Sequence, residues 1–221
     1  MSRNPSRSSA VPLIVCFGDS LTAGYQSPTP DYPQLRETPY GAFLQERLGA
    51  RATVTVNGLC GELTGEMVER FSRDVIMLRP ASVVILGGTN DLGCQAAPAE
   101  ILRNLLAMYN LALEKQVRPV AVTVPSIRIA GDVGGGESRL WLEEHIQRRR
   151  ELNAMIQGVC LKKQLSCVDL FTATQEQGSG LLAEPYSNDG LHLTTEGYRR
   201  LAELLYAEVF SCDDWYGGAT R

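Results

Sequence analysis

Hydrophobic and polar positions in this chain switch repeatedly between a strand-like and a helix-like pattern. Short apolar runs at 12–17, 52–56, 82–86, 118–124 and 166–171 predict strands. Between and after them, 41–48, 63–78, 98–115, 138–162 and 195–210 predict helices. The 98–115 segment repeats Ile101, Leu102, Leu105, Leu106, Tyr109, Ala112 and Leu113 at helical spacing. Pro98 near its start, and Thr195 as an N-cap ahead of Tyr198 and Leu201, fit helix-entry chemistry. Strands separated by helices imply right-handed crossovers and a mostly parallel sheet covered on both faces. The fold class expected is therefore α/β.

In such sheets, reactive groups gather beyond the carboxyl ends of the strands. Ser20 follows the first predicted strand, Gly61 the second, Asn90 the third, and Asp189 and His192 the fifth. All five fall on one edge of the sheet. Two connections interrupt the pattern. Segment 26–39 holds four prolines, and 125–137 contains Gly134-Gly135-Gly136, which does not sustain a helix. Both lie near the same edge, as substrate walls, a lid or plain surface insertions. Residues 1–10 read as a disordered polar tail, and 11–221 as a single domain without an internal repeat or linker.

Composition narrows the function class. A net charge of -4 gives no footprint for nucleic acid or an anionic membrane. The densest basic run, Arg148-Arg149-Arg150, reads as a solvated helix face. No apolar stretch approaches the ~20 residues of a membrane span, and no small-residue cleavage pattern follows the first apolar run, so a cytoplasmic protein is expected. Six cysteines show no paired metal-ligand spacing. Cys16 and Cys167 read as buried thiols, and a Cys60–Cys94 bridge, though geometrically conceivable, is disfavoured in a reducing compartment. The glycine-rich segments lack the lysine and spacing of a phosphate loop.

The chemistry the residues suggest is acyl transfer. Serine attacks poorly at neutral pH unless a base removes its proton. His192, one of two histidines, can be that base, and Asp189, three positions earlier, can orient the imidazole and stabilise its cation. The tetrahedral oxyanion needs donors fixed in advance, and the backbone of Ser20, the backbone of Gly61 and the side chain of Asn90 are candidates. His145 lacks a carboxylate placed like Asp189. Asp19 and Asp91 are expected to tie down their own turns.

Four ordered blocks resemble the GDSL esterases and lipases, also called SGNH hydrolases. They are Gly18-Asp19-Ser20-Leu21, the glycine at Gly61, Gly88-Thr89-Asn90-Asp91 in a G-x-N-D pattern, and Asp189-Gly190-Leu191-His192 in a D-x-x-H pattern. The resemblance spans nearly the whole chain; its one departure is Glu62, where many relatives carry aspartate. It implies a three-layer α/β/α, flavodoxin-like fold with a parallel five-stranded sheet. It also implies no metal or organic cofactor and hydrolysis through an acyl-enzyme. In that scheme Ser20 is the nucleophile, His192 the base and Asp189 its partner, with Ser20, Gly61 and Asn90 around the oxyanion. The expected activity is a serine esterase acting on small-molecule esters with short- to medium-chain acyl or aryl groups. A carbohydrate O-acetyl esterase, a lysophospholipase or thioesterase, and a binding protein that has lost catalysis are the alternatives. Oligomeric state is not legible.

Overall fold

The computed structural model describes residues 11–129 and 136–212. The expected tail at 1–10 and much of the glycine-rich segment within 125–137 lie outside the described residues. In chain order the strands are β1 (Leu13–Gly18), β2 (Tyr25–Gln26), β3 (Arg36–Glu37), β4 (Thr53–Gly58), β5 (Ser82–Leu86), β6 (Arg118–Val122) and β7 (Ser166–Val168). The helices are α1 (Ser20–Ala23), α2 (Tyr40–Leu48), α3 (Thr64–Asp74), α4 (Thr89–Gly93), α5 (Pro98–Glu114), α6 (Gly136–Lys163), α7 (Leu170–Thr174) and α8 (Thr195–Leu205). The main sheet has five strands in the order β4-β1-β5-β6-β7. Every neighbouring pair in it is parallel.

Alternation along β1 builds the three layers. Ile14 and Cys16 face a core shared with Leu44 of α2 and Leu201 and Leu205 of α8. Val15 and Phe17 face a second core shared with Met67 and Phe71 of α3, Leu105 of α5 and Leu152 of α6. Buried on both faces, the strands read as apolar runs rather than as a polar–apolar alternation. The helices show the matching stripe: α8 buries Tyr198, Leu201, Ala202 and Leu205 and turns its other side to solvent. No helix among the described residues is long and apolar enough to cross a membrane.

Several element ends differ from expectation. The fifth strand stops at Val168 instead of 171 because the Asp169 carboxylate accepts from the Thr172 N–H and caps α7. The helix expected over 63–78 ends at Asp74 and gives way to a 3₁₀ turn at Ile76–Leu78. Thr194, not Thr195, caps α8, its hydroxyl accepting from the Gly197 N–H at 3.2 Å. The basic run is not a uniformly solvated face: Arg150 is exposed, but Arg149 is 1% exposed. All six cysteines are free, so Cys60 and Cys94 are not bridged.

Between β1 and β5 the strand order reverses, and two buried ionisable groups lie at the carboxyl end of β1. Arg70 of α3 reaches across the sheet edge. Its Nε and Nη2 donate to Glu62 Oε1 and Oε2, each at 2.5 Å. Nη2 also donates to the carbonyls of Gly18 at 3.1 Å and Asn57 at 3.3 Å, joining the ends of β1 and β4. The guanidinium lies over the Phe17 ring, 4.1 Å from its centroid. The second group is Asp19, fully buried, whose Oδ1 accepts the Leu21 N–H at 2.9 Å and caps α1. Burial pushes its carboxyl up to about 7, against the Leu21 hydrogen bond and the nearby His192 and Arg149 and with help from the nearby Asp91.

These groups generate two stability predictions. Arg70→Met leaves Glu62 charged and only 7% exposed without its partner, and should lower unfolding free energy by about 3–5 kcal/mol. Urea titration measures this, and adding Glu62→Gln should recover part of the loss. Asp19 binds its proton more tightly folded than unfolded, where carboxyls titrate near ~4. Its contribution is therefore fully present below the unfolded value and is lost as pH rises through about 7. Asp19→Asn keeps the acceptor for Leu21 but not the titration. Its urea midpoint should gain on wild type more at pH ~8 than at pH ~5, and an equal difference at both would contradict a site that favours the neutral acid.

Candidate active site

Ser20 is the first residue of α1, where β1 turns abruptly into helix, and it is 4% exposed. Its Oγ lies 3.1 Å from His192 Nε2, across 172 residues of sequence. His192 Nδ1 lies 2.8 Å from Asp189 Oδ2. A carboxylate on that side places the imidazole proton on Nδ1 and leaves the Nε2 lone pair facing the Ser20 hydroxyl. The structure thus brings hydroxyl, imidazole and carboxylate into one hydrogen-bonded line.

The carboxylate is heavily solicited. Asp189 Oδ1 accepts from the Leu191 N–H at 2.9 Å and the His192 N–H at 2.8 Å. Oδ2 also accepts from the Ser27 hydroxyl at 2.5 Å. Burial alone would raise this carboxyl, but the bonds from His192, Ser27 and the two backbone N–H groups outweigh it, holding it well below the usual carboxylate range. The loop closes tightly enough to do this because Gly190 sits at φ +80°. A Cβ there would fall 1.7 Å from the Arg128 carbonyl. The Arg128 N–H donates to the Gly190 carbonyl at 2.8 Å, fixing the loop from outside.

Segment 25–27, which opens the proline-rich connection, packs on the same loop. Gln26 donates to Thr195 Oγ1 at 2.9 Å and accepts from the Thr195 N–H at 3.2 Å. The Tyr25 ring lies 4.5 Å from the His192 ring, and the Tyr25 carbonyl accepts from the Tyr198 hydroxyl at 2.7 Å. Beyond Gln26 most of the segment is exposed, with β2 and β3 forming a short antiparallel ribbon. The start of this connection therefore belongs to the site. Nothing in its composition singles out Ser27 or Tyr25; only the tertiary fold reveals them.

Asn90 is in the first turn of α4 and donates one amide N–H to the Glu62 carbonyl at 2.9 Å. This bond ties the Asn90 turn to the Gly61 loop and uses one of the two amide N–H groups. Gly61 has φ +80° and open space where a Cβ would project. Asp91 does not tie down its own turn: it accepts from the Thr64 N–H at 3.0 Å and the Thr64 hydroxyl at 2.6 Å, linking α4 to α3. The Ser20 N–H belongs to the first turn of α1, where helix donors have no intrahelical acceptor.

Gly61, Asn90 and Asp189 all line a cavity of about 570 Å³. Ser20 and His192 are not in its wall but are hydrogen-bonded to each other beside it. Helix α6 also contributes to its wall, through Trp141, His145 and Arg149, which recur every four residues. Trp141 stacks on His145, with ring centroids 4.9 Å apart. Burial first, and then the nearby Arg149 and Arg148, bring the His145 imidazole down to about 4, so it is neutral near pH 7. Among the described residues no group of His, Cys, Asp and Glu side chains is arranged to hold a metal ion.

The comparisons with known proteins agree with this architecture. No curated protein matches the chain by sequence. A lipase/acylhydrolase from Enterococcus faecalis is 25% identical, with a TM-score of 0.71 over 90% of this chain and 96% of that one. A carbohydrate acetylesterase from Sinorhizobium meliloti is 18% identical, with a TM-score of 0.70 over 90% of this chain and 99% of its own. The aryl esterase of M. smegmatis is 20% identical, with a TM-score of 0.68 over 90% and 100% respectively. The profile of the GDSL-like lipase/acylhydrolase family matches residues 16–200. Spanning most of its length and agreeing with the fold, that match makes the chain a member of the GDSL-like lipase/acylhydrolase family.

Proposed function

We propose that the protein is a serine esterase that hydrolyses carboxylic esters through an acyl-enzyme, with Ser20 as nucleophile. The observation that carries this reading is the line from Ser20 Oγ through His192 to Asp189, at 3.1 and 2.8 Å, beside a cavity edged by Asn90 and Gly61. Nε2 of His192 takes the hydroxyl proton as Oγ bonds to the ester carbonyl carbon. The carbonyl oxygen becomes an oxyanion held by N–H groups of Ser20, Gly61 and Asn90. The imidazolium then returns the proton to the departing alcohol as the C–O bond breaks. Water repeats the sequence on the acyl-enzyme, releasing the acid and restoring Ser20. Asp189, kept ionised by its donors, stabilises the imidazolium in both halves.

A cavity of this volume suits a short- to medium-chain acyl or an aryl group better than a long lipid chain. The names of the acetylesterase and aryl esterase neighbours point the same way. A binding protein without catalysis has less support, because all three reacting groups stand in hydrogen-bond contact.

Wild type should hydrolyse p-nitrophenyl acetate, and Ser20→Ala or His192→Ala should each lower kcat by roughly 10⁴–10⁶-fold without changing the circular-dichroism spectrum. Full turnover in either variant ends the assignment. Asn90→Ala should lower kcat on the order of 10²–10³-fold with little change in KM. A change confined to KM would make the Asn90 amide a ground-state contact instead.

A further inference from the structure

Four charged side chains line the cavity, and three of them are answered. Asp189 is bonded to His192, Ser27 and backbone N–H groups. Glu66, exposed, accepts from the Leu63 N–H at 2.8 Å. Arg128 lies 3.1 Å from Glu176 and 3.6 Å from Glu184. Arg149 is different. It is 1% exposed, and among the described residues Nη1 donates only to neutral oxygens, the Pro125 carbonyl at 2.7 Å and Thr89 Oγ1 at 3.4 Å. Its Nε is buried with no acceptor among the described residues.

Asp19 acts on this guanidinium through space and not by contact, and burial leaves Asp19 itself only partly ionised near neutral pH. Burial draws the arginine down to about 9, so it remains a cation at pH 7. An unpaired buried cation is costly, and removing solvent from it without a counter-charge is seldom tolerated. Here that cation stands in the wall of a chamber whose other lining includes Leu63, Ile127, Ile129 and Leu191. It is also next to the Asn90 turn, through Thr89.

We propose that the cavity takes esters bearing a carboxylate, which pairs with the Arg149 guanidinium while the scissile carbonyl lies between Ser20 and Asn90. The planar guanidinium fork suits a carboxylate better than a point charge does, and the apolar walls suit a short hydrocarbon spacer. The inference rests on the esterase reading and names the substrate class of that same site.

The test compares kcat/KM within matched ester pairs. With the carboxylate in the acyl half, the pair is p-nitrophenyl hemiglutarate and its neutral methyl ester. With the carboxylate in the leaving half, the pair is 4-acetoxybenzoate and its methyl ester. In one of the two pairs wild type should prefer the acid by about 10–100-fold, the worth of one charge-assisted hydrogen bond. Arg149→Met should bring that ratio close to one, whatever it does to either rate alone. Should that variant fail to fold, Arg149→Gln must lose the preference and Arg149→Lys must keep part of it. Wild-type ratios near one in both pairs, or a preference that survives neutral substitution, would overturn the inference while p-nitrophenyl acetate turnover left the esterase reading standing. No turnover of any of these esters would retire both.

Discussion

The reversal of strand order beside β1 is the constraint on which the rest of the molecule depends. Parallel strands deliver all their carboxyl ends to one edge, and right-handed crossovers leave β1 and β5 toward opposite faces. Along this edge, side chains also answer backbone carbonyls at the strand ends and in the loops that follow them. The Gly18 and Asn57 carbonyls are met by Arg70, that of Glu62 by Asn90, and that of Pro125 by Arg149. Asp19, Ser20, Glu62, Arg70, Asp91 and Arg149 are all buried at this rim, beneath which both cores are apolar. Polar burial here follows from the topology, and the topology also puts the reactive groups within reach of one another.

The two halves of the candidate site are held by different forces. Ser20, Gly61 and Asn90 stand a few residues beyond β1, β4 and β5, so the sheet ladder sets their positions. Asp189 and His192 stand about twenty residues beyond β7, in a segment whose strand pairing is limited to isolated bridges, Gln175 to Leu182 and Ser187 to Leu193. Side-chain bonds place this second half instead. Ser27 and Gln26 grip it from one direction, and the Arg128 N–H and its guanidinium, donating to the Leu182 carbonyl at 2.7 Å, grip it from another. The 3.1 Å separation of Ser20 from His192 is therefore a property of that seam more than of the sheet.

What was legible in the chain follows the same division. Period and spacing gave the alternation of strands and helices, and the edge rule grouped Ser20, Gly61, Asn90, Asp189 and His192 before any contact was known. Element ends were less legible, because single side chains decide them: Asp169 ends β7 early, and the Thr194 hydroxyl takes the cap that Thr195 also has the chemistry to provide. Asp91 looked like a turn residue, since aspartate most often bonds its own backbone. Its real acceptor role, toward Thr64 27 residues away, leaves no local trace. Ser27 and Tyr25 were invisible for the same reason.

Arg149 shows why charge patterning is a weak guide within long helices. In a run of three arginines, a solvated face is the economical reading, because burying a guanidinium requires acceptors that the sequence cannot display. Successive residues of a helix point about 100° apart, so the same run puts Arg150 in solvent and Arg149 against the cavity. Arg70 and Arg149 are alike in burial but opposite in circumstance. Arg70 is matched by Glu62 and serves the fold, since its partners are strand ends and a loop. Among the described residues the guanidinium of Arg149 touches no carboxylate, and it stands in the cavity wall. The same fold thus buries one guanidinium against a carboxylate and, among the described residues, leaves the other without one in a cavity wall, a difference that burial alone does not account for.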